Sequence, residues 1–382
     1  MKINADWLTA SHTQRVFSLL TEAGFQAFAV GGAVRNTLLD MAVSDLDFAT
    51  DATPQQVIAL AEKAGLRVVP TGIDHGTVTL ILDGQGFEVT TFRHDLETDG
   101  RRAIVGFTTS MTEDAARRDF TMNALYCAMD GQVLDPVGGL SDLQAGRVAF
   151  VGNPTKRIAE DYLRILRFFR FYAWFGDPEG GPDPEGLAAV AAGADGIATL
   201  AVERIGAEMT KCLGAPNPAP ALAAMAATGI LARILPGASD KLLAPLIHFE
   251  HAAKVPPRWQ RRLGAIGGQD IGAALRLSRA DMRYITALTD GLAGQADTAE
   301  LAYRQGADLA IDVALINAAT TLIAPPPDLL ETVERGTNAR FPLRAADLDP
   351  SLKGREIGRA LRRAEERWIA SGFTLDRHAL LT

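Results

Sequence analysis

Apolar and polar residues alternate in short runs over the first 150 positions, and helical spacing takes over after them. Residues 26–30 and 47–50 read as strands. Residues 77–82 and 87–92 form a hairpin around Asp83-Gly84-Gln85-Gly86, giving a small mixed sheet. Helical periodicity covers 5–23, 33–39, 54–63 and 119–129, with Thr53 ahead of Pro54 supplying a cap followed by a first-turn proline. A long helix rich in Arg and Phe is predicted over 157–175 and ends in the Gly- and Pro-rich loop 176–184. Further helices fall at 202–213, 218–227, 279–293, 308–319 and 352–370, with no repeat of fixed period. The pattern predicts an α+β chain: an α/β head over 1–150, a helical neck over 151–235, and an all-helical body and tail over 236–382.

A chain of 382 residues exceeds one ordinary core, which supports that division. No apolar run reaches the length of a membrane span, and Met1 to Trp7 lacks the basic-then-apolar pattern of a secretory signal, so the cytoplasm is the expected location. Cys127 and Cys212 lie far apart within apolar helical patterns and are expected to be buried thiols, not a disulfide or zinc site. A formal charge of −8 excludes indiscriminate coating of nucleic acid; any RNA must be held by local clusters of Arg and Lys.

Chemistry concentrates near the start. Gly31-Gly32 follows a strand and opens a helix carrying Arg35, an arrangement in which backbone N–H groups, a helix N-terminus and a guanidinium can meet a triphosphate. Asp45-Leu46-Asp47-Phe48 comes ten residues after Arg35. In a strand, residues two apart share a face, so the two carboxylates are expected to project together while Leu46 and Phe48 face the core. Adjacent carboxylates repel, and Mg²⁺ held by Asp45 and Asp47 resolves the conflict. Glu88, alternating with apolar neighbours in the hairpin, is a third candidate carboxylate. The chemistry such a set supports is two-metal, in-line nucleotidyl transfer.

These residues resemble a known family, the class II tRNA nucleotidyltransferases, which comprise CCA-adding enzymes and poly(A) polymerases. Gly31-Gly32-Ala33-Val34-Arg35 with Asp45-Leu46-Asp47 resembles the first family motif, and Arg117-Arg118-Asp119-Phe120-Thr121-Met122-Asn123-Ala124 resembles the second. Asp135-Pro136-Val137-Gly138-Gly139-Leu140-Ser141-Asp142-Leu143 resembles the third, Glu160-Asp161-Tyr162-Leu163-Arg164-Ile165-Leu166-Arg167 the fourth, and Glu203-Arg204-Ile205 the fifth. Asn36 stands where the family usually has aspartate, and Tyr162 where it commonly has proline.

The resemblance implies Asp45 and Asp47 as catalytic residues, and the strand pattern adds Glu88 as the third catalytic candidate. It implies Gly32, Arg35, Arg118, Asp119, Asn123, Asp161, Arg164, Arg167 and Arg170 as nucleotide-binding residues. The substrates it implies are CTP, ATP and the 3′ end of the tRNA acceptor arm. Asp161 and Arg164, three apart on one predicted helix, are expected to act as a unit: the carboxylate accepts from the exocyclic amine of C or A, and the guanidinium donates to the ring. Arg167 and Arg170 drift around that helix and suit phosphate or RNA better.

Basic clusters at Lys156-Arg157, at Arg258, Arg261 and Arg262, at Arg276, Arg279 and Arg283, and at Lys353, Arg355, Arg359, Arg362 and Arg363 are candidate phosphate contacts or plain solvated helix faces. A poly(A) polymerase shares the head, but residues 71–77 carry no Arg or Lys, unlike that branch. Enzymes adding only C-C or only A remain alternatives. In the family the chain resembles, the loop between the hairpin and the second motif matters for adding the last A, and because the corresponding stretch 94–106 keeps Asp95, Glu97, Asp99, Arg101 and Arg102 the resemblance implies full C-C-A addition. A non-catalytic RNA-binding module is opposed by the intact Asp45 and Asp47. The sequence does not set the oligomeric state.

Overall fold

The computed structural model describes residues 1–99, 102–294 and 296–382, with side chains outside 95–105. Its strands are β1 (Ala27–Val30), β2 (Asp47–Thr50), β3 (Arg67–Gly72), β4 (Thr77–Leu82), β5 (Gln85–Thr91), β6 (Arg93–Asp99), β7 (Arg102–Phe107), β8 (Tyr126–Cys127) and β9 (Val133–Leu134). Seven share one sheet in the order β3-β4-β5-β2-β1-β8-β9, while β6 and β7 form a separate antiparallel ribbon. β2 and β5 pair in parallel, and the other described pairings are antiparallel. The β4–β5 turn is only Asp83-Gly84, both at positive φ, so Gln85 and Gly86 belong to the strand and not to the turn.

Helices α1 (Asp6–Thr9), α2 (Ser11–Thr21), α3 (Gly32–Leu38), α4 (Pro54–Lys63), α5 (Met111–Ala116), α6 (Gly139–Gln144), α7 (Pro154–Glu160), α8 (Leu163–Phe175), α9 (Pro184–Ala192) and α10 (Val202–Leu213) cover the sheet and extend beyond it in sequence. α4 begins where expected because Thr53 and Gln56 form a reciprocal capping box ahead of Pro54. The first predicted helix is split at Ala10, whose backbone is extended.

Two larger departures bear on the site. Residues 119–129 are not a helix: a short 3₁₀ turn at Thr121–Asn123 leads into β8, where Tyr126 pairs with Val30 and Cys127 with Ala29. Ala124, Leu125, Tyr126 and Cys127 are all fully buried, and an apolar run buried on both faces carries no period that separates strand from helix. The predicted helix over 157–175 is two helices, α7 and α8, broken at Asp161 and Tyr162. On the closed face of the sheet Phe48 meets Phe17 edge-on at 5.0 Å, with Phe87 beside it.

The chain divides into two units: Met1–Cys212 with Pro220–Ile234, and Leu213–Ala219 with Leu235–Thr382. The second is helical, with a core that includes Leu246, Leu288, Val313 and Ile316. Arg261 and Arg262 are buried within it. Arg261 pairs with Glu250 and Asp312 at 2.7 Å each, and Arg262 pairs with Glu250 at 2.7 Å and donates to the carbonyls of Leu213, Ala215 and Pro216. Arg258 pairs with Asp308 and stacks on Tyr284. This cluster is internal framework and not a phosphate surface, because carboxylates and carbonyls of its own unit consume its donors. No described helix is long and apolar enough to cross a membrane.

Candidate active site

Asp47 opens β2 and stands directly beside Glu88 of β5 across the parallel pairing. Both project from the open face of the sheet at the cleft, where Asp47 keeps surface area but has little water around its carboxylate, while Phe48, Phe87 and Val89 point into the core. The strand starts at Asp47, so Asp45 lies on its lead-in and not within it; its carboxylate is exposed and accepts a 2.9 Å hydrogen bond from the Ser44 hydroxyl. The Asp47 carboxyl is pushed above the usual carboxylate range, first by burial and then by the Glu88 charge, with Asp45 adding to it and Arg118 partly offsetting it. Crowded hard oxygen donors of this kind fit a hard divalent cation. No set of three His, Cys, Asp or Glu side chains placed to hold a metal ion is formed among the described residues.

Asp47 and Glu88 line a cleft of about 360 Å³, and Asp45 is not among its lining residues. One wall is built by Gly31, Gly32 and Arg35 after β1, with Arg118, Asp119 and Asn123 ahead of β8. Gly31 has φ +73, the left-handed region that glycine adopts without strain, and this lets the chain pass from β1 into α3. Arg35 is nearly buried. Its Nη1 donates to Asn123 Oδ1, its Nε and Nη2 donate to Asn36 Oδ1, and its guanidinium lies 4.0 Å from the Phe175 ring centre. Burial lowers its pKa to about 10, against the pull of Asp119.

Arg118 is seated by Asp114, a residue the sequence reading did not single out. Asp114 accepts from Arg117 at 2.7 Å, from Arg118 at 2.9 Å and from the Tyr126 hydroxyl at 2.7 Å. Burial opposes its charge, but Arg118 and Arg117 outweigh that and hold its carboxyl at about 2. The signal available in sequence was Asp114 three and four residues before Arg117 and Arg118 in a helical register. Asp119 is held at about 2, burial being overcome by Arg167, and it accepts from Arg167 Nε, Asn123 Nδ2 and the Phe120 amide at 2.8–2.9 Å. Asn123 thus links Arg35 to Asp119, and Asp119 to Arg167 on α8.

Asp161 and Arg164 do not pair with each other. The break at Asp161 takes the two residues off one continuous helix: Asp161 caps the Leu163 amide at 3.0 Å and pairs with Arg204 of α10 at 2.7 Å, while Arg164 pairs with Glu160 and donates to the Arg157 carbonyl. Arg170 pairs with Glu208 of α10 at 2.5 Å. Arg157 is buried, pairs with Glu160 and donates to the carbonyls of Arg117 and Arg118, so it braces the second motif and is not a surface phosphate contact. The expected stretch 94–106 falls mostly on the β6–β7 ribbon. Asp95, Glu97, Asp99 and Arg102 have side chains outside the described ones, and Arg101 lies outside the described residues.

Residues 27–149 match the Poly A polymerase head domain family, and residues 182–242 match the family described as the probable RNA and SrmB- binding site of polymerase A. The chain is 35% identical over 325 residues to the CCA-adding enzyme of Geobacillus stearothermophilus, covering 82% of this chain and 78% of that one. It is 47% identical over 184 residues to the human mitochondrial CCA tRNA nucleotidyltransferase 1, covering 48% of this chain and 42% of the human protein, less than half of that relative's length. The crystal structure of the Bacillus stearothermophilus CCA-adding enzyme in complex with CTP shares the fold with a TM-score of 0.69 at 29% identity, over 94% of this chain and 92% of that chain.

Proposed function

The chain belongs to the family of CCA-adding enzymes, and on that premise we propose that it adds C, C and A to the 3′ end of tRNA from CTP and ATP, without a nucleic-acid template and with release of pyrophosphate. The observation that carries this reading is Asp47 beside Glu88 on the floor of a cleft whose β1-side wall is lined by Arg35 and Arg118.

In this reading Asp45 and Asp47 hold Mg²⁺, with Glu88 as the third carboxylate. The chemistry the cation supplies when bound is activation of the attacking 3′ hydroxyl and neutralisation of the departing pyrophosphate. Gly32, Arg35 and Arg118 take the triphosphate. Arg35 suits that role because its partners are neutral amides and aromatic rings, which leave its charge to the phosphates. Asp119 and Asn123 orient the ribose.

Asp161 and Arg164 read the base edge: a carboxylate accepts from the amine that C and A carry and U lacks, and a guanidinium donates beside it. Each is held by its own partner, Arg204 or Glu160, and is therefore oriented before a base arrives. Arg167 and Arg170, fixed by Asp119 and Glu208, complete the pocket. The head over 1–150 carries the chemistry, the neck over 151–235 the base selection, and the body and tail over 236–382 the tRNA. The two buried thiols suit a reducing compartment such as the cytoplasm.

The test is incubation of the purified protein with tRNA lacking its 3′ end, Mg²⁺, and CTP and ATP separately and together. Addition that stops after C-C-A and vanishes in Asp45→Ala, Asp47→Ala is the expected result. An open-ended A tract means a poly(A) polymerase, and no incorporation leaves a binding module.

A further inference from the structure

The cleft has a second wall that the nucleotide reading leaves unused. It is formed by β4 and β5, on the far side of the carboxylates from the Gly31-Gly32 turn, because the strand order runs β4-β5-β2-β1. Thr77 and Thr90 line it and are directly paired across the two strands. Thr90 lies two residues beyond Glu88, on the same face and about 7 Å along the strand. The two hydroxyls share one hydrogen bond of 2.9 Å. Two hydroxyls that share a single bond keep one O–H to donate and lone pairs to accept.

Phe107, at the base of the β6–β7 ribbon, is 41% exposed, an unusual state for a large aromatic side chain. Its ring covers Gly76 beside Thr91, where a Cβ on Gly76 would come within 2.9 Å of it, and it is not among the side chains lining the cleft.

We infer that Thr77 and Thr90 form the subsite for the 3′-terminal ribose of the RNA being extended, the threonine pair binding its 2′-hydroxyl. The inference rests on the triphosphate lying against Arg35 and Arg118, as proposed above. In-line displacement places the attacking and leaving oxygens on opposite sides of the reacting phosphorus. With pyrophosphate leaving toward the β1 wall and the carboxylates in the middle, the attacking 3′ hydroxyl arrives from the β4–β5 wall. The groups there match a terminal ribose: a donor and an acceptor for its vicinal hydroxyl. The threonine pair then makes the enzyme selective for an RNA end over a DNA end.

The test uses the full chain and a fluorescent tRNA lacking its last three residues, whose terminal sugar is either ribose or 2′-deoxyribose. Binding is read by anisotropy, with CTP affinity and CMP incorporation measured in parallel. The wild-type protein is expected to bind the ribose end about five- to tenfold tighter, the worth of one hydrogen bond. Thr77→Val with Thr90→Val preserves strand shape and should bring that ratio close to one while leaving CTP affinity unchanged. A wild type indifferent to the terminal sugar, a ratio that survives in the double variant, or a loss that falls on CTP instead overturns the subsite. If the ratio collapses as expected while even the wild type incorporates no CMP, the subsite stands and the nucleotidyl-transfer reading falls.

Discussion

Replacing Asp114 by Asn tests whether one buried carboxylate seats the arginine wall of the cleft. Asp114 is 1% exposed and accepts from Arg117, Arg118 and Tyr126 at once. Its carboxyl is held at about 2 against an ordinary 3.8: burial alone would raise it, and the two guanidinium groups with the Tyr126 hydroxyl outweigh burial. At about 1.4 kcal/mol per pH unit, the group contributes about 2 kcal/mol to the folded state at neutral pH. Because the folded value lies below the unfolded one, that contribution is complete above about pH 4 and is lost as the pH falls toward 2. Asn also leaves the half-buried Arg118 without its carboxylate, which adds about 1 kcal/mol. The expected loss at pH 7 is therefore about 3 kcal/mol. It is read by urea unfolding followed by circular dichroism, together with a rise of about tenfold in KM for CTP as Arg118 loses its seat. The gap between wild type and variant should narrow below pH 4. A variant that unfolds at the wild-type midpoint, or a gap that stays constant from pH 5 to pH 2.5, refutes the assignment of Asp114 as the hub.

Three further outcomes follow from the same geometry. Asp47→Asn should reduce CMP and AMP incorporation by at least about 10³-fold yet raise the melting temperature in EDTA, since it removes a carboxylate that burial and Glu88 both disfavour; a lower melting temperature in EDTA contradicts the crowding argument. Arg262→Met should cost about 3–5 kcal/mol in denaturant unfolding, because Glu250 and three backbone carbonyls lose their donor, and CTP affinity should not change. Native protein at pH 8 should leave both thiols unreacted with an aromatic disulfide and expose two in denaturant: Cys127 and Cys212 are buried, and burial pushes the Cys127 thiol up to about 12. Rapid labelling of the native state would show that the β8 region opens.

What could be read from the sequence depended on whether a local signal had a competitor. The hairpin of β4 and β5 alternates between one buried and one open face, a pattern that only a strand satisfies, and α4 carries its own start signal in Thr53, Pro54 and Gln56. β3 escaped because Pro70 sits inside it, and proline argues against a strand except at a sheet edge, which is where β3 lies. The run from Ala124 to Cys127 escaped because it is buried on both faces and has no period to read. The helix over 157–175 was legible in composition but not in continuity: the break at Asp161 is stabilised by Arg204, 43 residues away, a partner that local sequence cannot announce.

The same limit governs the arginines, and it resolves an apparent conflict between a chain of net charge −8 and a polyanionic partner. In sequence, Arg258, Arg261 and Arg262 look as available to phosphate as Arg35. In the fold, Arg261 and Arg262 are spent on Glu250, Asp312 and backbone carbonyls, and Arg157 on Glu160 and two carbonyls of the second motif. Arg35 is equally buried but meets two amides and two aromatic rings, none of which cancels its charge. A buried guanidinium without a paired carboxylate is costly in the empty protein, and in the proposed reading a triphosphate would offset that cost. On that reading, what would draw the nucleotide is the pairing deficit at Arg35 and not the number of basic residues, so an acidic chain can still present a cationic wall to it.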